Sequence, residues 1–457
     1  MLIGISKVNI TPKDHQSILR GKKGDISQGN AILDDLYVRT ICLFQNRKIL
    51  IINVDLLWVS KELTEAIRNW AHEKFEIHPD YILISATHTH HSPQIKKNIF
   101  DGNTVNGAYV SYLEEKIKQS ISEALNSYRP GYLEYSYGYI KGTVNRRKYQ
   151  YDLPLLLKGK FRKQVLYRPN YRGVNDNKFI ALWIYSSDDD LLGVILNFSC
   201  HPTTYGGQAI TADFPGQIAA LLSEQFSRSF VTFYIQGFAG NIRPNLIRRT
   251  ELTKRKIHQY LYYRMFPTLF FYKTENPADI THFARNIVSD ILETFNQKEK
   301  LKPSFFADVG AIPLKCERKK SRQYFENLRK ANDAAISSYA SYVIGNYHAV
   351  YDVRLNIQRI NFAENIILVA MDGEIFTQYA LWLRATYEKS KVHIMPVGCA
   401  NGMVGYIPDA ESLNQGGYEP ERSITLFGIP EKFSRSIEAQ IKNGISTILE
   451  DSAVPVS

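Results

Sequence analysis

The chain has 457 residues, 44% of them hydrophobic and 22% charged, proportions that exclude a disordered or fibrous protein and predict a sizeable core. No apolar run approaches the ~20 residues that cross a bilayer as a helix. The formal charge of +11 raises nucleic acid as a partner. However, its cations are spread, with local clusters at Arg146-Arg147-Lys148, Lys158 to Lys163 and Arg248 to Lys256, and no zinc finger, helix-turn-helix or RNA-binding pattern accompanies them. Nucleic acid is therefore not expected. Solvated surface, and attraction of an anionic substrate or membrane surface, are the two readings left.

Met1 to Pro12 reads as a short strand and a turn, without the basic leader and apolar stretch of a secretion signal, so a cytoplasmic location is expected. Further strands are predicted in chain order at 36–44, 49–56, 81–86, 180–185, 192–199, 230–236, 305–314, 350–362, 366–371 and 392–397. Amphipathic helices alternate with them. In Lys61–Phe75 the apolar residues Leu63, Ala66, Ile67, Trp70 and Ala71 recur at a spacing of three and four. Similar patterns occur at 108–125, 215–226, 280–295, 375–386 and 433–449. The alternation predicts an α/β fold of mixed β-sheets flanked by helices. A short polar turn at Gln45-Asn46-Arg47 predicts antiparallel pairing of the two strands around it. The chain reads as a single domain, 1–457, with a basic and aromatic insertion at 245–275 that either packs on the core or forms a lid over an apolar substrate. Four scattered cysteines without CxxC spacing predict no disulfide framework; Cys200, beside His201, reads as a packed residue rather than a nucleophile.

The densest chemistry lies in Ser85-Ala86-Thr87-His88-Thr89-His90-His91, directly after an apolar run. In extended chain, side chains two apart share a face, so His88 and His90 point one way and His91 the other. Converging imidazoles at a strand end make either a metal or acid–base site, or a hydrogen-bonded polar strand end. Other apolar runs stop at Cys200-His201-Pro202, at Gln236-Gly237-Phe238-Ala239-Gly240-Asn241, and at Asp372-Gly373-Glu374, where Glu374 is expected to open a helix. Asp213 reads as a helix N-cap or as a group orienting His201, and Asp55 as a turn carboxylate or a support for a ligand histidine. Ligand sites in α/β sheets gather at strand ends, and two histidines with a carboxylate are a hydrolytic zinc donor set.

The order and wording of these segments resemble the neutral/alkaline (non-lysosomal) ceramidase family. The matching pieces run from Gly4 and Asn9-Ile10-Thr11-Pro12 through Ser85-Ala86-Thr87-His88-Thr89-His90, Asn145-Arg146 and His201-Pro202-Thr203. They continue through Gln236-Gly237, Gly240-Asn241, Pro244-Asn245 and Gly373-Glu374 to Tyr406 and Tyr418. The resemblance implies a zinc amidase with one Zn2+ ion, ligated by His88, His201, Glu374 and Tyr406, while His90, Arg146 and Tyr418 address the substrate amide and its developing oxyanion.

Two departures modify that expectation. Arg243 stands where the family loop carries a serine, and a guanidinium is suited to a carboxylate or phosphate, so Arg243 is expected to meet a smaller, anionic substrate. The chain also ends soon after the 433–449 helix, without the family's C-terminal β-sandwich. The expected function is hydrolysis of a linear amide in a small or lipid-like N-acyl amine. An esterase on the same zinc site, and a non-catalytic basic binding protein retaining the fold, are the alternatives. Oligomeric state is not legible.

Overall fold

The computed structural model describes residues 1–12, 18–20, 26–28, 31–95, 107–151, 159–249, 269–388 and 392–450. The insertion expected at 245–275 therefore lies mostly outside the described residues. The aliphatic runs become strands buried on both faces. Lys48–Val54, Ile82–Ala86, Leu191–Phe198 and Val231–Gln236 lose almost all contact with solvent, as continuous apolar runs do when helices cover the sheet.

These strands belong to a nine-stranded sheet. Its order is Val231–Gln236, Leu191–Phe198, Lys178–Ser186, Arg129–Tyr139, Leu2–Asn9, Tyr37–Phe44, Lys48–Val54 and Ile82–Ala86, with Glu299–Lys300 added on Arg129–Tyr139. The outermost pair at each end is parallel, and the pairs between are antiparallel. Tyr37–Phe44 and Lys48–Val54 form the expected hairpin, with Phe44 opposite Lys48. A four-stranded sheet follows the order Phe306–Leu314, Val353–Ala363, Ile366–Met371 and His393–Val397, the last two parallel.

Backbone twist curls the large sheet until its two ends approach each other. Asn53 Nδ2, next to one edge, donates to Tyr234 O on the opposite edge strand at 2.8 Å. The chain leaving His393–Val397 enters this seam. Gly398 N donates to Gln236 O at 3.0 Å on one side, while Asn401 N donates to Ile84 O at 2.8 Å and Ala86 N to Cys399 O at 3.1 Å on the other. Residues 398–401 thus fasten the two ends of the sheet together. The strand ends that carry the histidines open at that seam.

Helices cover the faces. Lys61–Phe75 starts on Ser60, whose hydroxyl accepts from Leu63 N, and buries Leu63, Ile67 and Ala71. Asp213–Gln225 and Pro277–Leu292 cover the other end with Phe214, Ile218, Leu222, Phe283 and Ile287. The helix expected at 375–386 begins at Thr377. Glu374 precedes it in a two-residue strand, Glu374–Ile375, parallel to Tyr406–Ile407. A separate three-stranded sheet, Ile242–Pro244 with Thr143–Tyr151 and Lys163–Asn170, stands beside the site. No helix among the described residues is long and apolar enough to cross a membrane.

Candidate metal centre

His88 lies two residues beyond Ile82–Ala86, and its φ of 68° turns the ring off the strand direction. Left-handed backbone at a bulky residue is strained, and such strain persists where the surroundings over-determine it. Asp213, Cys399 and Asn401, with φ of 57°, 53° and 59°, border the same region. His88 Nδ1 lies 2.6 Å from Leu57 O, and His201 Nδ1 lies 3.2 Å from Ala239 O. A carbonyl only accepts, so both Nδ1 atoms carry the proton and both Nε2 atoms face inward. The two Nε2 atoms are 3.1 Å apart. Glu374 Oε2 is 3.3 Å from the first and 3.6 Å from the second.

The three inward groups act strongly on one another's charge. Glu374 Oε2 is buried without a hydrogen-bond donor in proper geometry, a costly state for a carboxylate. Burial opposes charge on His88, but Cys399 and Glu374 outweigh it and push the ring's pKa up to about 10. Burial also opposes charge on Glu374, yet His88, a hydrogen bond from Tyr406 and Arg146 hold its carboxyl below the usual range. His201 stays neutral: burial, then the charges of Arg146 and His88, drive its pKa well down. Zinc held tetrahedrally at about 2.0–2.1 Å sets its ligand atoms roughly 3.3 Å apart, close to the three separations found.

His90 is the half-buried member of the group, its ring centroid 5.1 Å from His88 and 5.2 Å from His201. His88, His90 and His201 offer nitrogens within 4.8 Å of one another and could hold a metal ion. That triad and the tighter set with Glu374 share His88 and His201. The tighter set has separations close to those of a single tetrahedron and includes the buried carboxylate. His91 turns away, its Nε2 3.3 Å from Tyr205 O.

Tyr406 sits beside Glu374 through the strand register. Burial first, then the Glu374 charge, raise its hydroxyl well above the usual phenol range. Arg146 is buried and fully engaged in aligning this wall. Its Nε donates to Glu419 Oε1 at 3.0 Å and its Nη2 to Gly240 O at 2.7 Å and Tyr406 Oη at 3.2 Å. Tyr418 is 43% exposed, with its ring 6.0 Å from that of Tyr406.

Other candidates are engaged elsewhere. Asp213 is not the N-cap but the first helical residue, and its carboxylate accepts from Thr204 N and Oγ1, Tyr205 N and Phe214 N. It braces the turn after His201 rather than touching the ring. Arg243 is 1% exposed. Its donors go to Tyr167 Oη at 2.8 Å, Thr203 O at 3.1 Å and Tyr272 O at 3.4 Å, so the guanidinium is taken up by the protein instead of facing an anionic substrate. Asp55 pairs with Arg39 Nη1 at 2.9 Å. Cys200 is buried in the core, its thiol pushed well up by burial.

Sequence reasoning assigned nothing to Glu419, which binds Arg146 and also Arg147. The pair of adjacent arginines was the available signal. A register shift between Asn145 and Arg147 brings both side chains to the same carboxylate. Cys399, whose Sγ is 3.4 Å from His88 Nδ1, was also not anticipated.

A mixed α/β chain with a buried histidine cluster able to hold a metal ion, at the mouths of parallel strand pairs, is the class that fold and site define. The chain belongs to the neutral/alkaline non-lysosomal ceramidase family, whose N-terminal profile matches residues 1–256. Its fold is similar to the crystal structure of neutral ceramidase from Pseudomonas aeruginosa, at 16% identity and a TM-score of 0.71, covering 98% of this chain and 73% of that one. A ceramidase complexed with C2 is similar at the same identity and TM-score, with 98% and 74% covered. No curated protein matches the chain.

Proposed function

We propose that the protein is a zinc-dependent hydrolase of a linear amide bond in an N-acyl amine, working as a single catalytic domain. The observation carrying this reading is the meeting of His88 Nε2, His201 Nε2 and Glu374 Oε2 within 3.1–3.6 Å, both rings anchored through Nδ1. His88, His201 and Glu374 would hold the ion, with Tyr406, beside Glu374, as the fourth ligand. Bound zinc supplies a Lewis acid and lowers the pKa of its water toward ~7.

The chain's own groups do the remainder. His90, the half-buried ring, carries a proton from the attacking water to the leaving nitrogen, which an amide requires more than an ester does. Tyr418 donates to the developing oxyanion, and Arg146 adds a fixed positive charge behind Tyr406; such donors are often worth ~3 kcal/mol each. Family membership supports a lipid-like N-acyl substrate. With Arg243 occupied internally, nothing in its contacts demands an anionic one.

Metal analysis of the purified protein, with free-amine release from a panel of N-acyl substrates, tests the reading. Stoichiometric zinc and amine release are expected, and Glu374→Gln should lower both zinc content and turnover, the latter by at least about 100-fold. Zinc-loaded protein that cleaves esters and no amide would establish the esterase alternative instead.

A further inference from the structure

Two segments whose outer parts this chemistry leaves unused stand together on the outside of the fold. The first is the hairpin of Thr143–Tyr151 and Lys163–Asn170. Its register sets Arg147 opposite Tyr167, Tyr149 opposite Val165 and Tyr151 opposite Lys163, so these six share one face. Near the site that face is buried, where Arg147 binds Glu419. Further out it is bare: Tyr149 is 44% exposed, Tyr151 52%, and Phe161, just before the second strand, 80%, while Tyr167, opposite Arg147, is 49% exposed.

Cations accompany the rings. Lys160, Arg162 and Lys163 are exposed, and Lys163 Nζ lies 6.0 Å and 5.5 Å from the Tyr149 and Tyr151 ring centroids. Residues 143–151 and 159–170 contain no acid. The second segment, the strand pair Ile247–Arg249 and Leu269–Phe271, lies alongside: the Phe271 ring is 5.3 Å from Tyr167, and Arg168 lies over Phe270 at 3.7 Å.

We propose that the outer face of this hairpin docks on an anionic lipid bilayer. Acid-free basic charge complements anionic headgroups, and half-exposed tyrosines with an almost bare phenylalanine occupy the boundary between headgroup and acyl chain. Lysine stems pack along the rings while their ammonium groups stay wet. Cations alone would serve nucleic acid equally, but the bare aromatics favour lipid. The proposed N-acyl, lipid-like substrate adds to that choice, so the inference rests in part on the functional reading. Arg146 lies on the same strand as Tyr151, five residues and about 17 Å away at 3.3 Å per residue, so the docked face stands next to the site.

Co-sedimentation of the full chain with vesicles of equal parts phosphatidylcholine and phosphatidylglycerol, and with phosphatidylcholine alone, tests the proposal. Salt-sensitive partitioning onto the anionic vesicles is expected. A triple variant, Lys160→Glu, Arg162→Glu and Lys163→Glu, should lose about 100-fold in partitioning, from roughly fivefold per cation, and Phe161→Ala should weaken it separately. A control with Lys61→Glu, Arg322→Glu and Arg354→Glu, elsewhere on the surface, should keep most of the binding. Failure of the wild type to partition, equal losses in the control, or tighter binding to a short DNA duplex than to the vesicles would each overturn the proposal. The patch variant should still hydrolyse detergent-dispersed N-acyl substrate. Vesicle binding without hydrolysis of any such substrate would defeat the functional reading and leave the docking face standing.

Discussion

Glu419 organises one wall of the site while touching none of the candidate metal ligands. Its two oxygens receive Arg146 and Arg147, all three side chains being buried. A buried ion triplet of this kind tolerates loss of its central charge badly, because two guanidinium groups are then left without a counter-ion. Glu419→Gln should cost about 3–5 kcal/mol by denaturant unfolding. The folded fraction should also turn over more slowly at saturating substrate, since Arg146 would no longer be held against Tyr406. At this scale sequence was a good guide to identity and a poor one to contact. The rings of His88 and His90 lie near each other and His91 turns away, although His88 is in left-handed backbone and not in the extended chain that the spacing argument assumed. That Arg243 would be consumed by Tyr167 and two carbonyls was invisible, because those partners come from stretches with no local signal.

Among the elements, the turn after Val231–Gln236 is the most constrained. Gly240 N donates to Ile375 O at 2.8 Å, and a Cβ on Gly240 would lie 2.4 Å from the carbonyl oxygen of Glu374. Backbone cannot yield there as a side chain would. Gly240→Ala should cost about 1–3 kcal/mol in unfolding measurements, and should reduce zinc content in folded protein by displacing Glu374. Unchanged zinc content would mean the turn does not set the carboxylate's position. Strands rich in aliphatic residues were legible in sequence to within a few positions. Arg129–Tyr139, Thr143–Tyr151 and Lys163–Asn170 were not: their tyrosines and cations face solvent along much of their length, so no alternation of apolar and polar residues announces them. Glu374–Ile375 was read as a helix start because its partner, Tyr406–Ile407, is distant in sequence.

Over the whole molecule, the candidate ligands join three remote stretches through one seam. An ion that binds only this assembled form stabilises the entire fold, by about 2.7 kcal/mol at a free concentration 100 times its Kd. Stripping zinc with a chelator should therefore lower the midpoint of thermal unfolding, and restoring zinc should return it. The same treatment of the Glu374→Gln protein should shift it far less. A midpoint indifferent to chelation in the wild type would place the ion, if any, outside this seam.

Residues 398–401 fasten the ends of the large sheet from the far side of the sequence, which imposes an order on maturation. A chain leaving the ribosome presents His88 and His201 long before Glu374 or the fastening segment exist. The two ends of the sheet can therefore close, and the three candidate ligand stretches meet, only after residue 401 has been made.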